Sequence, residues 1–316
     1  MLLTEDYFNS LSKDVYKNTN ICLQHFSMLQ LDLDATYWNT YNSVNPLFFH
    51  VYWYGKITRK QLLCIKSYLA TQNLNKTKLI VWLDYKNGYN ENNINIIPKH
   101  INIIVKKFIP DKLAKGTPFE GKHYINLEDI NLIKYRSDLA RVLFLYHYGG
   151  LYYDLDLILI KDLAPFLHLE FCYQWSNIIG RGNNALLSLH KGSNICINLF
   201  NKYIKYIEIE KKQFGLDYNR VIFDYELNLL HLPSSIFDPV WILLDGKTKS
   251  NYSKLNNFDN FFKETNEKIT KITDFFQNKV FAYHWHSRYS YKIEDNSYFN
   301  KLERIIDNIL YNKYNK

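Results

Sequence analysis

Cysteine is scarce in this sequence and is never paired in a motif. The 316 residues include four cysteines, and none of them stands in a Cys-X-X-Cys arrangement or at the spacing of a metal-ligand set. A cysteine-based metal site is therefore excluded, and the pattern is typical of reduced, mostly buried thiols in a cytosolic protein. The four residues are Cys22, Cys64, Cys172 and Cys196.

Long apolar runs are also missing. No stretch reaches the roughly 18 consecutive apolar residues that a membrane-spanning helix needs. The opening residues, Met-Leu-Leu-Thr-Glu-Asp, lack the basic region and apolar run of a signal peptide. We therefore expect neither a signal peptide nor a membrane anchor, and we predict a cytoplasmic location.

A dense tract of charge of one sign is the third feature that the sequence lacks. The formal net charge is +8 and the pI is about 9.0, which is compatible with a nucleic acid, an anionic membrane or a small anionic substrate as partner. Lys and Arg are spread along the chain, which favours a solvated basic surface. This distribution disfavours nucleic acid and leaves peripheral contact with a membrane open.

Residues 137–160 hold the most informative pattern. Ser137 is a candidate N-cap, and Gly149-Gly150 supplies the left-handed conformations that end a helix. Between them, apolar residues repeat at helical spacing, so the segment predicts a helix that runs into a tight glycine turn. The repeating residues are Leu139, Val142, Leu143 and Tyr146.

Two carboxylates follow this turn within an aromatic and aliphatic run. Asp154 and Asp156 are two residues apart, which on a strand would place them on the same face. Such a pair is costly to bury unless a cation lies between the two side chains. Mg²⁺ or Mn²⁺ suits oxygen ligands and often completes its shell with substrate phosphates. A second triplet, Asp32-Leu33-Asp34, lacks the glycine turn and the strand-like run, and we interpret it as a solvated segment.

Strand and helix patterns alternate in the first half of the chain. Apolar runs at residues 46–55, 78–83 and 101–105 predict strands, and residues 59–72 predict a helix. This alternation predicts an α/β protein with a doubly wound, mostly parallel sheet, whose ligand crevice lies at the carboxyl ends of the strands. Asp84 stands at such an end. We predict a helical N-terminal annex at residues 1–44, a catalytic domain at 45–296 and a C-terminal docking helix at 297–316.

Residues 137–156 resemble a known family. The order of Ser137-Asp138, Arg141, Gly149-Gly150, an aromatic residue and an Asp-X-Asp triplet is similar to glycosyltransferases with an Asp-X-Asp sugar-binding region, which are glycosyltransferase family 32-like. These include outer-chain mannosyltransferases, α-1,4-galactosyltransferases and, more distantly, the catalytic domain of large glucosylating toxins. The resemblance implies a GT-A-like fold and a metal-dependent hexosyltransferase that uses a nucleotide-diphosphate sugar and retains anomeric configuration.

The resemblance also implies roles for individual residues around the donor. Asp138 would hold sugar hydroxyls, and Arg141 would meet the sugar or the phosphates; the alternative is an ordinary ion pair along the helix. Trp53, in the order His50-X-X-Trp53-X-Gly55, would stack on the nucleobase, although an indole at this position also suits a core. Further donor-binding candidates are Asp84, Tyr152, Asp154 and Asn184.

Near the C-terminus, residues 281–291 resemble the closing motif of the family. His284 matches the metal-binding histidine, so Asp156 and His284 would bind Mn²⁺ or Mg²⁺. Ser290 and Tyr291 stand one residue away from the usual Ser-Trp pair of the donor site. The family's Thr-Gly-Pro stretch is missing, and residues 232–239 take its place. The catalytic candidates are Asp138, Arg141, Asp154 and Asp156.

Two other interpretations of the sequence stay open. The same carboxylates would serve a metal-dependent nucleotide-sugar hydrolase or nucleotidyltransferase, and the basic, tyrosine-rich composition would suit a nucleic-acid-binding protein. The sequence does not choose between a UDP-linked and a GDP-linked donor, or among a glycan, a protein and a lipid as acceptor.

Overall fold

A computed structural model describes residues 3–28, 38, 45–122, 133–212, 229–245 and 251–314. Within these ranges the strands are β1 (Leu47–Trp53), β2 (Thr77–Asp84), β3 (Ile103–Phe108), β4 (Gly150–Tyr153), β5 (Leu157–Leu159), β6 (Phe171–Gln174), β7 (Gly182–Leu189), β8 (Leu230–Leu232) and β9 (Ala282–His284). The helices are α1 (Glu5–Ser10), α2 (Lys13–Lys17), α3 (Thr19–Met28), α4 (Arg59–Thr71), α5 (Glu91–Ile96), α6 (Pro110–Ala114), α7 (Ile133–Tyr148), α8 (Asn194–Lys212), α9 (Trp241–Asp245) and α10 (Tyr298–Tyr314).

Seven of the strands in the described part of the chain form one sheet, in the order β3-β2-β1-β4-β7-β6-β8. Strand β1 runs parallel to β2 and β4, and the pairs β2–β3 and β6–β8 are also parallel. Strand β7 is antiparallel to both of its neighbours. The predicted α/β class with a mostly parallel sheet is confirmed.

Helices cover both faces of this sheet, because the strand side chains alternate between two apolar cores. On one face Phe49 and Val51 of β1 pack in the same cluster as α4 and α10. On the other face Tyr52 of β1 and Trp82 of β2 pack with α7 and α8. Trp82 stacks on Phe144 of α7 with ring centroids 4.4 Å apart. The sheet is therefore doubly wound, and its strand ends are free to form a crevice.

Helix α4 begins with a complete capping box, in which Thr58 and Gln61 satisfy each other's backbone N–H groups. Helix α10 lies against it and is held by the ion pairs Arg59–Glu303 and Lys66–Asp307, the second at 2.8 Å. The predicted boundaries of the annex, the catalytic domain and the docking helix stay predictions. The second triplet, Asp32-Leu33-Asp34, lies outside the described residues.

Two local predictions around the glycine turn are wrong. Helix α7 begins at Ile133, one turn before Ser137, so Ser137 lies within the helix and does not cap it. Its hydroxyl accepts a hydrogen bond from Arg141 Nη2 at 3.0 Å instead. Asp154 and Asp156 do not lie on a strand either, because β4 ends at Tyr153 and both aspartates occupy the turn before β5.

The glycine turn itself follows from backbone geometry. Gly149 and Gly150 have φ values of 64° and 96°, which disfavour any residue with a Cβ. A Cβ at Gly150 would lie 2.0 Å from the carbonyl oxygen of Phe48 in β1. The turn thus lets β4 pair closely with β1.

All four cysteines are buried and free of disulfides, as predicted. Among the helices that the structure describes, none is long and apolar enough to cross a membrane.

Candidate active site

A cavity of about 460 Å³ opens at the carboxyl ends of β1 and β4. This is where a doubly wound sheet places its ligand crevice. The structure brings seven of the candidate residues to its walls, from β1, α7, the β4–β5 turn, β7 and β9. They are Trp53, Asp138, Arg141, Asp154, Asp156, Asn184 and His284.

Arg141 of α7 contacts residues of α7, the β4–β5 turn and β7. Its Nη2 lies 3.2 Å from Oδ1 of Asp138 and 3.2 Å from Oδ1 of Asp154, and its Nη1 donates to the carbonyl oxygen of Asn184 at 2.6 Å. The guanidinium also lies over the Tyr152 ring, 4.5 Å from the centroid. Burial opposes its charge, but Asp154, Tyr152 and Asp138 outweigh that effect and raise the pKa of Arg141. The predicted ion pair along the helix is present, but it is buried and extends to Asp154.

Asp138 is oriented by β7. Asn184 Nδ2 donates to Asp138 Oδ1 at 2.8 Å and to the Tyr203 hydroxyl at 2.9 Å. Asp138 is 2% exposed and Asn184 is 9% exposed. The two side chains therefore form one polar wall, with a carboxylate and an amide that suit sugar hydroxyls.

The second carboxylate of the triplet faces a histidine. Strand β9 pairs antiparallel with β5, with Leu157 opposite His284, which places His284 beside the β4–β5 turn. His284 Nε2 lies 3.1 Å from Asp156 Oδ1. The other oxygen of Asp156, Oδ2, accepts a hydrogen bond from the backbone N–H of Ser287 at 2.7 Å.

Two further groups hold the opposite side of His284. Its Nδ1 lies 2.8 Å from the Tyr173 hydroxyl and 3.7 Å from Asp238 Oδ2. The same Asp238 oxygen bonds His286 Nε2 at 2.6 Å, and the two imidazole rings stack with centroids 3.8 Å apart. His284 thus lies between two buried carboxylates.

These carboxylates determine the protonation of the histidine. Burial lowers the pKa of His284, but Asp156 and Asp238 outweigh burial and raise that pKa to about 10. Burial conversely raises the pKa of Asp156, but the two histidines and the Ser287 N–H bring it down to about 2. With no cation bound, a proton on His284 offsets part of the negative charge of the two carboxylates.

The same groups fit a divalent cation. Asp156 Oδ1 and Asp238 Oδ1 are buried, and neither makes a hydrogen bond of acceptable geometry to the described residues. Asp156 Oδ1 and His284 Nε2, 3.1 Å apart, offer a cation two ligands. A bound cation would replace the proton of His284. A second possible ligand set lies at the other nitrogen of His284: the ligand atoms of Asp238, His284 and His286 are within 4.8 Å of one another, and this set does not include Asp156.

The opposite wall of the cavity is aromatic. Trp53, at the end of β1, donates its indole N–H to the Lys56 carbonyl at 3.0 Å. Its ring lies 5.2 Å from that of Tyr289, centroid to centroid, at an interplanar angle of 60°. Trp53 is half-buried and contacts both the cavity and the core, so both functions predicted from the sequence are compatible with its position.

Four donor-binding candidates do not line this cavity. Asp84 is fully buried and bound by Arg136 Nε at 2.5 Å and by the Tyr52 hydroxyl at 2.7 Å. Tyr152 lies beneath Arg141 and donates to Asp154 Oδ1 at 2.8 Å. Ser290 and Tyr291 are exposed, and the Tyr291 hydroxyl donates to Asp259.

The structure brings other residues to the cavity that the sequence did not single out. In the C-terminal segment these are Ser287, three residues before the predicted Ser290, and Tyr289, two residues before the predicted Tyr291. Trp175 and Trp241 form a T-shaped pair with centroids 4.4 Å apart. The one sequence signal for Asp238 was the unusual stretch 232–239, where the family pattern is replaced.

One segment of the chain matches a known family model. Residues 59–176 match the family model described as "Glycosyltransferase sugar-binding region containing DXD motif". The match includes Asp138, Arg141 and the Asp154-Leu155-Asp156 triplet. Among solved structures, the chain is similar to "PaToxG Glycosyltransferase" with a TM-score of 0.42 and 15% identity, over 68% of this chain and 76% of that one. No curated protein matches the chain.

Proposed function

We propose that this chain, a glycosyltransferase whose sugar-binding region contains the DXD motif, transfers a sugar from a nucleotide-diphosphate sugar with the help of a bound divalent cation. The observation that carries the proposal is the meeting of four groups in one cavity: the triplet carboxylates, the Asp138–Arg141 pair, Asn184 and His284. They come from separate elements, so a chance grouping of this chemistry is an inadequate explanation.

Asp156 and His284 would hold the cation, which the buried Asp156 oxygen and its 3.1 Å distance to the imidazole nitrogen support. When bound, Mn²⁺ or Mg²⁺ supplies positive charge that stabilises the departing diphosphate. Asp238 and Tyr173 orient His284 from its other nitrogen, as outer groups commonly do for metal-bound histidines. A mixed oxygen and nitrogen ligand set favours Mn²⁺ over Mg²⁺, because Mg²⁺ prefers oxygen ligands.

The sugar would lie against the wall formed by Asp138 and Asn184. Asp138 accepts hydrogen bonds from sugar hydroxyls, while the Asn184 amide fixes the carboxylate. Arg141 is 3% exposed and already bound to Asp138 and Asp154. Its main task is therefore to hold these carboxylates in place, with any contact to the donor made through the guanidinium edge.

The nucleobase would stack on Trp53 at the aromatic wall. Tyr289 lies close enough to enclose the same ring, and Tyr54 also lines the cavity. Stacking accepts either a uracil or a guanine, so this wall alone does not select UDP over GDP. Retention of anomeric configuration is the outcome that the family resemblance implies, with a glycan, protein or lipid as acceptor.

A donor panel tests the proposal. UDP-linked and GDP-linked hexoses are added to the protein with and without Mn²⁺, and the melting temperature and the release of nucleoside diphosphate are measured. We expect one donor class to raise the melting temperature only with Mn²⁺ present and to release its diphosphate. If no nucleotide sugar binds with or without the metal, while a DNA or RNA oligonucleotide binds without metal and loses affinity with salt, the proposal is wrong.

A further inference from the structure

Lys60, in the first turn of α4, makes an unusual set of contacts. Its ammonium donates to the backbone carbonyls of Arg288, Tyr289 and Tyr291, at 2.5, 3.0 and 2.6 Å. The residue is 5% exposed, and the same ammonium lies 4.2 Å from the centroid of the Phe262 ring. Three donors meeting three carbonyls satisfy an ammonium completely, which is the condition under which such a charge can be buried.

The helix itself gives no reason for a cation at this position. Thr58 caps α4, so Lys60 is the second residue of the first turn. Positive charge there faces the positive end of the helix dipole, which is mildly unfavourable. The placement is explained by what Lys60 binds.

The bound segment, residues 285–291, reaches the proposed donor site at two points. The Ser287 N–H donates to Asp156 Oδ2 at 2.7 Å, and the Tyr289 ring packs against Trp53. We name residues 285–291 the closing loop. It therefore joins the metal end of the cavity to the base end.

The backbone of the closing loop is strained. His286 and Ser287 have φ values of 49° and 54°, in the left-handed region that residues with a Cβ disfavour. Two consecutive residues hold this conformation only when the surrounding contacts outweigh its cost. The contacts at one end are those of Asp156, and those at the other end include Lys60 and the side-chain bonds of Arg288 and Tyr291 to Asp259.

We infer that Lys60 is a positioning residue. Its hydrogen bonds hold the closing loop beside the donor cavity, so that Ser287 and Tyr289 are in place before the donor binds. The donor part of this inference rests on the proposed function. Lys60 does not line the cavity, and it acts through the loop alone. A preordered loop binds donor more tightly, because less ordering remains to be done on binding.

Lys60→Met tests the inference, because it nearly keeps the length of the side chain and removes the three N–H donors of the ammonium. We expect amide hydrogen exchange at residues 287–291, measured without donor, to be at least ~10-fold faster than in the parent, because three charge-assisted bonds are lost. The KM for donor should rise by ~10-fold, with kcat at saturating donor nearly unchanged. Lys60→Arg keeps the charge and the donors and should restore both values toward those of the parent.

Lys66→Met is the matched control. Lys66 is on the same helix and also bonds a C-terminal element, through Asp307 at 2.8 Å, but it does not touch the closing loop. Loop exchange and donor KM should be unchanged in this variant. If Lys60→Met does not fold, Lys60→Gln takes its place, because its amide retains two N–H donors. Loop exchange and donor KM should then change in the same direction but by smaller factors.

The outcomes separate the two proposals. If amide hydrogen exchange of the closing loop in a folded Lys60→Met protein is as slow as in the parent, the positioning role of Lys60 is wrong. The same conclusion follows if Lys66→Met changes loop exchange and donor KM as much as Lys60→Met does. If Lys60→Met speeds loop exchange but the parent protein uses no nucleotide sugar, the positioning role of Lys60 is supported and the proposed donor is wrong.

Discussion

At the scale of single residues, the central groups of the site are a carboxylate and an imidazole that neutralise each other. His284 has one nitrogen toward Asp156 and the other toward Tyr173 and Asp238. Its neighbour His286 bonds Asp238 from the other side. His284 therefore contacts the triplet carboxylate Asp156, whereas His286 bonds Asp238. Substitutions of the two histidines should have different effects on metal dependence.

We expect His284→Ala to raise the Mn²⁺ concentration needed for half-maximal activity by ~10- to 100-fold, as losses in metal shells commonly do. His286→Ala should raise it much less, because His286 Nε2 bonds Asp238 and not Asp156. Metal titrations of the two purified variants give the comparison. Equal small effects would make both histidines structural, and a larger effect at His286 would move the metal toward Asp238.

Trp53→Ala should weaken donor binding by about 1–3 kcal/mol if the indole stacks on the nucleobase. Tyr311→Ala is the control, because Tyr311 is an exposed aromatic residue at 68% that lies outside the cavity. Calorimetric titration of nucleoside diphosphate with Mn²⁺ measures both. Unchanged affinity in a folded Trp53→Ala protein would leave Trp53 with its packing role alone.

At the scale of elements, the glycine turn and the β4–β5 turn set the geometry of the site. The turn after β4 aims Asp154 and Asp156 into the cavity, and the pairing of β5 with β9 brings His284 to them. Both depend on β4 lying close to β1, where Gly150 has no room for a side chain.

Gly150→Ala should therefore lower the free energy of unfolding by about 2–4 kcal/mol, because a backbone atom blocks the new Cβ and the φ value is positive. Gly192→Ala is the matched control. Gly192 also has a positive φ, of 73°, but a Cβ there meets nothing within 4 Å. Its cost should be about 1–2 kcal/mol, from the left-handed conformation alone. Urea unfolding of the two variants is the measurement, and equal losses would contradict a steric role for Gly150.

Sequence patterns predicted the elements more reliably than the contacts between them. The strands at residues 46–55 and 78–83 and the glycine turn depend on local periodicity and backbone freedom, so they could be predicted. The start of α7 could not, because Ser137 resembles a cap until Arg141 and Tyr152 are seen to bind it. Asp84 ends a strand at the expected edge, but Arg136 occupies its carboxylate.

The remaining residues of the site were missed because distant segments bring them together. Tyr289 reaches the cavity, and Asp238 reaches the two histidines, only through tertiary packing. Lys60 resembles any lysine of an amphipathic helix until the closing loop is in place. The DXD triplet was found because its neighbours in sequence are also its neighbours in space.

At the scale of the whole molecule, the buried histidine links stability to pH. In the metal-free protein the pKa of His284 is raised to about 10, above the ~6.5 expected in the unfolded chain. A group with a raised folded pKa contributes stability that is fully present below the unfolded pKa and is lost as pH rises through the folded pKa. The metal-free protein should therefore lose stability between about pH 6.5 and 10, and Mn²⁺ should offset the loss.

Urea unfolding in EDTA across this pH range measures that dependence. His284→Gln should reduce the change in the free energy of unfolding with pH. His190→Gln, at a histidine whose side chain is 63% exposed, should leave that pH dependence unchanged. The same slope in the parent and in His284→Gln would show that His284 does not carry the linkage.

The Asp156→Asn substitution tests the central claim most directly, because it removes one charge at nearly constant shape. The matched control is Asp295→Asn, at an exposed aspartate that does not line the cavity. The measurement is Mn²⁺-dependent release of nucleoside diphosphate from the donor that the panel selects, in both variants and in the parent. We predict that Asp156→Asn abolishes the metal-dependent release while the protein stays folded, and that Asp295→Asn turns over at the parent rate. Parent-like release by Asp156→Asn would contradict the assignment of the cation to Asp156.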